Sequence, residues 1–195
     1  MKERTPQREE RMRQVLARRQ HDLSMVINNI HDPHNVSAVL RSCDAFGVHR
    51  VHLYYTREKF PVLGHGSSAS AKKWVERQKH DDPQAMIDFF HAQGMQCVGT
   101  GFSETATPLD RFDLTRPTAI VLGNEHRGLD QDLFSLLDGE LYIPMQGMVQ
   151  SLNVSVAAAI ILYEAWRQRF QAGMYDRTSL SEEETGQILA AWSEK

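Results

Sequence analysis

Three polar segments of the chain have the residue types to bind a ligand, and each follows a run of apolar residues. The first reads NNIHDPHN at 28–35, the second GNEHRG at 123–128 and the third PMQGMVQSLN at 144–153. The preceding apolar runs are typical of strands, and open α/β sheets bind ligands beyond the carboxyl ends of their strands. Each of the three segments is therefore a candidate for ligand binding.

The ordinary structural roles of these residues have to be weighed first. Asn and Asp before a helix are usually caps, and Arg41, on the predicted helix that follows the first segment, is usually an exposed ion-pair partner. The third segment is more informative, because a Met/Gln/Gly loop before an apolar helix leaves several polar groups for a ligand to satisfy.

Motifs that would indicate other chemistry are absent from the sequence. There is no GxGxxG or GxxxxGK[ST] loop for a dinucleotide or nucleoside triphosphate, and no HExxH pair for a metal. Cys43 and Cys97 are far apart and lack zinc-ligand spacing. No serine or cysteine lies in a nucleophile elbow. These observations favour a nucleoside-like ligand without phosphates and no bound metal.

The elements that must position these segments alternate between strands and helices. Apolar runs predict strands, and Asp-Pro pairs at 32–33 and 82–83 predict helix starts. The predicted strands cover 23–27, 51–55, 74–75, 95–100, 118–122 and 141–143; the predicted helices cover 33–46, 83–93, 133–137, 151–170 and part of the tail from 181. This order predicts an α/β fold with a mainly parallel sheet, flanked by N- and C-terminal helices. The helix at 151–170 is so apolar that we expect it to be buried on most sides.

The charge of the chain is unevenly distributed. The 195 residues carry 22 Lys+Arg and 25 Asp+Glu, a formal net charge of −3, yet residues 1–20 have seven basic and three acidic groups. We interpret 1–20 as a basic helical arm, 21–175 as the main domain and 176–195 as a helical tail. The N-terminus lacks a secretory pattern, and the longest apolar run is too short to span a bilayer, so we expect a cytoplasmic protein with no membrane partner.

Together, the three segments resemble a known family. NNIHDPHNVSAVLRSCDAFGV (28–48), AIVLGNEHRGLD (119–130) and YIPMQGMVQSLNVSVAAAIILYEAWRQR (142–169) are similar to motifs 1, 2 and 3 of the SPOUT methyltransferases, in the TrmH branch of RNA ribose 2′-O-methyltransferases. The arm ending in LARRQHDL and the segment GMYDR at 173–177 are most similar to members that act on guanosine 18 of tRNA. The chain departs from related sequences at His126-Arg127, where a lysine commonly follows the motif-2 glutamate.

The resemblance implies a fold, a cofactor and partners. The C-terminal part of the sheet would form a deep trefoil knot that holds S-adenosylmethionine (SAM), and a homodimer would complete the site. The matching SAM-pocket positions are Thr100, Leu122, Gly123, Ile143, Ser151 and Leu152. The matching catalytic positions are Arg41, Asn35, Glu125, Ser151 and Asn153. We expect tRNA to be bound by Arg4, Arg8, Arg11, Arg19, His34, Lys72, Lys73, Arg167 and Arg169.

The implied reaction is in-line transfer of the SAM methyl group to a ribose 2′-oxygen. Arg41 is the first candidate for a catalytic role, although a guanidinium holds its proton too firmly to be an ordinary base. Two alternatives stay open: the same chemistry on a ribosomal RNA ribose, and a non-catalytic knotted RNA-binding module. The missing phosphate loop argues against a nicotinamide-dependent enzyme.

Overall fold

The computed structural model describes residues 5–63, 71–124, 127–178 and 180–194, except for the side chains of residues 71 and 72. Within that part of the chain, seven strands form one sheet. The strands are β1 (Leu23–Asn28), β2 (Arg50–Tyr54), β3 (Glu76–His80), β4 (Gln96–Thr100), β5 (Thr107–Pro108), β6 (Thr118–Leu122) and β7 (Gly139–Tyr142). The helices are α1 (Pro6–Leu16), α2 (Pro33–Ala45), α3 (Ala71–Trp74), α4 (Pro83–His91), α5 (Gln131–Phe134), α6 (Val154–Gln171) and α7 (Glu182–Ser193), with a 3₁₀ turn at Leu109–Arg111.

All strand pairs in this sheet are parallel, in the order β3-β2-β1-β6-β4-β7-β5. Ile27 of β1 lies beside Leu53 of β2 and Leu122 of β6, so these three strands end at about the same level. The carboxyl ends of the strands therefore form one edge, which we call the carboxyl edge. The prediction of a mainly parallel α/β fold is confirmed.

Local sequence explains where the helices begin. The Asp32 carboxylate accepts a hydrogen bond from the His34 amide at 2.7 Å, and Asp82 accepts one from the Ala85 amide at 2.6 Å. A proline follows each aspartate, where the missing N–H is not needed by the helix. Both predicted helix starts are confirmed.

Helices cover both faces of the sheet. One face of the sheet packs against α2 and α6, and the other packs against α4 and α5. Met25 and Ile27 of β1 point into the first core and Val26 into the second. Strands buried on both faces need continuous apolar runs, which is why these runs were visible in the sequence.

Two local predictions were wrong. Residues 74–75 were expected to be extended, but α3 ends at Trp74 and the strand begins at Glu76. This strand, ERQKH, lies at the edge of the sheet and is only half-buried, so it carries no apolar run. The helix α6 is buried on one side only: Ile161 and Leu162 are fully buried, whereas Tyr163 is 52% exposed.

The terminal helices pack against each other. Met12 and Leu16 of α1 form a small core with Leu189 and Trp192 of α7. The expected basic helix at the N-terminus is therefore present and rests on the body of the protein. The boundaries at residues 20 and 175 stay a prediction. No described helix has the length and apolar content that crossing a bilayer requires.

Candidate active site

A cavity of about 430 Å³ opens at the carboxyl edge, between β4, β6, β7 and the start of α6. All six residues predicted to hold the cofactor line it: Thr100, Leu122, Gly123, Ile143, Ser151 and Leu152. The walls are apolar side chains, backbone groups and uncharged polar side chains, with no charged residue among the described lining residues. Such a cavity suits an uncharged, nucleoside-like group better than a phosphate.

The first and third polar segments meet beside this cavity. The Asn153 side chain lines the cavity, and its Nδ2 donates to Asn35 Oδ1 at 3.0 Å. Asn153 Oδ1 accepts from the Ser155 amide at 2.9 Å and thereby caps α6. The fold thus brings together two segments whose contacting residues are 118 positions apart in the sequence.

The second segment forms a tight loop against the same cavity. The Asn124 amide donates to the Gly128 carbonyl at 2.7 Å, and the Gly128 amide donates to the Asn124 carbonyl at 2.9 Å. A Cβ at Gly123 would lie 2.7 Å from the Gly128 carbonyl carbon, so only glycine allows this approach. Glu125, predicted to be catalytic, lies outside the described residues.

Asn29 holds the neighbouring loops together, a role that sequence reasoning missed. It is fully buried and has a left-handed backbone conformation (φ 48°). Its Oδ1 accepts from the amides of Thr56, Arg57 and Glu58, each at 3.2 Å. Its Nδ2 donates to Asp130 at 2.7 Å. The doubled asparagine after β1 was visible in the sequence, but its distant partners were not.

The far wall of the cavity also went unpredicted. Gly101 and Phe102 follow β4 and line the cavity together with Tyr142. The Ser103 amide donates to Glu140 Oε2 at 3.1 Å, which fixes the turn after Phe102. The sequence indicated this wall only through the position of the turn, which directly follows a predicted strand.

Arg41 does not line the cavity of its own chain. It lies on α2, exposed, seven residues after His34, and residues seven apart lie on the same face of a helix. The structure thus places Ser151 and Asn153 in the cavity lining, Asn35 in contact with Asn153, and Arg41 and His34 on an exposed helix face.

Two predicted RNA-binding arginines are buried instead, which corrects their assignment. The Arg19 side chain forms an ion pair with Asp44 and donates to the Val48 carbonyl at 2.9 Å. The Arg169 side chain pairs with Asp22 at 2.5 Å and donates to the Leu114 carbonyl at 2.8 Å. Both side chains have no exposed surface, so they stabilise the fold and cannot contact RNA from these positions.

The other predicted RNA-binding residues have more accessible positions. Arg11, His34 and Lys73 are exposed, and Arg8 is half-buried. Arg167 is half-buried and forms two hydrogen bonds with Glu164. Arg4 and the Lys72 side chain lie outside the described residues.

Neither cysteine is a candidate nucleophile. Cys43 and Cys97 are free and buried, and burial raises the pKa of each thiol to about 12. A neutral buried thiol is unreactive. Cys97 lies close to His91 and Asp138, the only grouping of three potential metal ligands in the described part of the chain, and none of the three lines the cavity. The expectation of no bound metal stays a prediction.

Comparison with known proteins identifies the family. The profile of the SpoU rRNA Methylase family matches residues 22–163, which is most of the chain. This chain belongs to the SpoU methylase family. As a SpoU methylase it is an enzyme that transfers methyl groups, and its fold is the knotted SPOUT fold. The resemblance seen in the three polar segments is confirmed.

Individual SpoU methylases are similar over nearly the whole length. A tRNA (guanosine(18)-2′-O)-methyltransferase of Thermus thermophilus is 44% identical over 195 residues, 100% of both chains. The crystal structure of the Aquifex aeolicus TrmH/SpoU tRNA modifying enzyme has a TM-score of 0.90 and 42% identity, covering 96% of this chain and 95% of that one. The SpoU methyltransferase AviRb of Streptomyces viridochromogenes, solved in complex with AdoMet, has a TM-score of 0.67 and 28% identity over 78% of this chain and 62% of that one.

Proposed function

We propose that this chain is a SAM-dependent tRNA (guanosine(18)-2′-O)-methyltransferase acting in the cytoplasm. The observation that carries the proposal is the cavity: the six positions that the family resemblance assigns to SAM all line it. Near-full-length similarity to enzymes of that activity supports the choice of tRNA and of guanosine 18.

The residues around the cavity fit SAM. Backbone groups at Leu122, Ile143 and Leu152 would hold the adenine and ribose, and the uncharged walls suit a ligand without phosphates. SAM, when bound, supplies a methyl group activated by its sulfonium. Asn153, which contacts Asn35, and Ser151 line the same cavity and would orient the incoming ribose.

Arg41 would act on the 2′-hydroxyl as a source of positive charge. A guanidinium stays protonated, so it would not accept the 2′-hydroxyl proton, which would pass to solvent as the methyl group is transferred and the neutral thioether leaves. Arg41 would stabilise the developing alkoxide and could bind the adjacent phosphate with two hydrogen bonds. Because Arg41 does not line the cavity of its own chain, we propose that it reaches the cavity of a second copy.

The exposed face of α6 supports a homodimer. Val156, Ile160, Tyr163 and Phe170 are 48%, 36%, 52% and 56% exposed and follow one another at helical spacing. A continuous apolar stripe of this kind marks a protein interface. It begins three residues after Asn153, so the interface would adjoin the site.

Binding of tRNA would rest on basic side chains outside the cavity. We propose Arg8 and Arg11 of the arm, His34, Lys73 and Arg167, with Arg4 and Lys72 as further members. Phosphate contacts of this kind make affinity fall as salt rises.

A ribosomal RNA ribose is the second candidate substrate, because the matching family profile is named for rRNA. The test is incubation of the purified protein with tritiated SAM and either unmodified tRNA or ribosomal RNA. We expect label in tRNA only. Label confined to ribosomal RNA would select the second candidate. SAM binding without transfer to either RNA would favour a non-catalytic RNA-binding module.

A further inference from the structure

One carboxylate joins three loops at the carboxyl edge. Glu58, in the loop after β2, accepts from both terminal nitrogens of Arg127 at 3.4 Å each. Its second oxygen lies 3.7 Å from His31 Nδ1. His31 comes from the loop after β1 and Arg127 from the loop after β6, so the group gathers the ends of three adjacent strands.

The backbones that carry these side chains are fixed. The Glu58 amide is bound by Asn29 Oδ1, and the Arg127 amide donates to Asn124 Oδ1 at 3.2 Å. Asn124 and Gly128, on either side of Arg127, line the cavity. The loops that carry Glu58 and Arg127 are therefore held at a defined place beside the cavity.

The contacts to Glu58 are too weak to be required for stability. The side chains of Arg127, Glu58 and His31 are 44%, 30% and 78% exposed, and the bonds are long. Exposed ion pairs of this geometry contribute little to folding, since solvent screens them and holding the side chains costs entropy. A phosphate would bind the same guanidinium through shorter, stronger paired bonds.

The neighbouring Arg57 provides a contrast. It pairs at 3.4 Å with Asp130, whose side chain is only 3% exposed and also accepts from Asn29. If Arg57 moved away, the buried Asp130 carboxylate would lose this ion pair. Arg57 is thus held in the fold, whereas Arg127 can exchange its partner.

We propose that Arg127 and His31 form a subsite for one backbone phosphate of the substrate RNA, and that Glu58 occupies this subsite until RNA displaces it. The inference rests on the proposed function, because it requires an RNA substrate. Glu58 would then reduce affinity for RNA while keeping the arginine in position.

The test is the dissociation constant for unmodified tRNA as a function of salt. We expect Arg127→Ala to weaken binding about tenfold at 0.1 M salt and to reduce the slope of log affinity against log salt by about one. Glu58→Gln removes the competing charge and should tighten tRNA binding by about threefold or more. In the Arg127→Ala background most of that gain should disappear, because the two changes act on the same phosphate.

The controls make the same charge changes elsewhere. Arg116→Ala is the control for Arg127→Ala, because Arg116 lies before β6, at the opposite edge of the sheet. Asp88→Asn is the control for Glu58→Gln, because Asp88 lies on the exposed side of α4. SAM binding and the melting temperature should match wild type in all variants, which separates the effect from misfolding. If Glu58→Gln weakens tRNA binding or leaves it unchanged, or if Arg127→Ala behaves like Arg116→Ala, the subsite is wrong. A wild-type protein that methylates no tRNA would instead refute the proposed function.

Discussion

Both the oxygen and the nitrogen of the Asn153 side-chain amide form hydrogen bonds at the site. Its oxygen caps α6 and its nitrogen donates to Asn35, so the start of the long helix and the first polar segment are fixed together. A single side chain thus links the two segments that the resemblance assigns to catalysis and to the cofactor.

Replacing Asn153 by aspartate should separate these two tasks. A carboxylate still caps the helix and favours its positive end, so the melting temperature should stay near wild type. It cannot donate to Asn35 Oδ1, so we expect the rate of methyl transfer to fall at least about tenfold, since misplaced groups lose alignment. Asn153→Ala loses both contacts, so its free energy of unfolding should also be lower by about 1 kcal/mol. Full activity of the aspartate variant would show that the contact with Asn35 is dispensable.

Arg41 should affect the reaction and not the cofactor. Arg41→Ala is expected to lower kcat about 100-fold or more, because removing one stabilising group from a developing oxyanion has an effect of that size. SAM affinity, measured by calorimetry, should be unchanged, since the proposed contacts of Arg41 are with the ribose oxygen and phosphate of the RNA and not with the cofactor. Arg41→Lys keeps the charge but loses the paired bonds and should be intermediate. An alanine variant with near-wild-type turnover would remove Arg41 from the mechanism.

Residue types alone indicated the three polar segments, because each follows a predicted strand. The roles of Asn35, Ser151 and Asn153 within them came from the family resemblance and stay a prediction. Arg19 and Arg169 were misassigned, because their partners Asp44 and Asp22 lie 25 and 147 residues away and only the fold brings them together. A basic residue in a basic segment cannot be distinguished from a buried ion-pair member by sequence.

At the scale of elements, the turn after β6 sets the shape of the cavity. Gly123 and Gly128 approach so closely that the loop between them folds back on the end of the strand. Because both residues line the cavity, a change in this turn must change the cavity wall.

Gly123→Ala should therefore impair cofactor binding. The added methyl group would lie 2.7 Å from the Gly128 carbon and must displace the loop, at a cost of about 1–3 kcal/mol. We expect a lower melting temperature and a SAM dissociation constant raised at least about tenfold. Gly139→Ala is the matched control, because a Cβ there meets nothing within 4 Å. Equal SAM affinity in the two variants would contradict the role of the turn.

Elements were predictable where burial dictates the pattern. Strands β1, β4 and β6 have apolar runs because helices cover both of their faces. Strand β3 was predicted too early, at 74–75, because an edge strand needs no such run, and the two residues of β5 are too few to form any pattern. Helix α6 is apolar on two sides, but sequence could not tell which side faces the core.

At the scale of the whole molecule, the apolar face of α6 and the position of Arg41 lead to the same conclusion. A stripe of exposed apolar side chains begins beside the site, and a catalytic candidate lies outside its own cavity. A second copy docked on α6 would cover the exposed apolar stripe. It would also supply its own Arg41 to the cavity. The sheet order and this surface could not be predicted from sequence, because both depend on contacts between distant segments.

Ile160→Asp should disrupt the proposed dimer. A carboxylate in an apolar interface must be desolvated without a partner, so we expect a folded monomer by sedimentation and loss of methyl transfer. Val62→Asp adds the same charge at an apolar side chain that is 93% exposed and does not belong to the α6 stripe, and should remain dimeric and active. A wild-type monomer with full activity would rule out a site shared between copies.

The central claim is that the cavity directs a methyl group to one ribose oxygen of tRNA. The most direct test is nuclease digestion and mass spectrometry of a tRNA transcript after incubation with the protein and SAM. We predict a single 2′-O-methylguanosine, at position 18, and no product from a transcript carrying 2′-deoxyguanosine there. A methyl group on a base, or on any other ribose, would contradict the account.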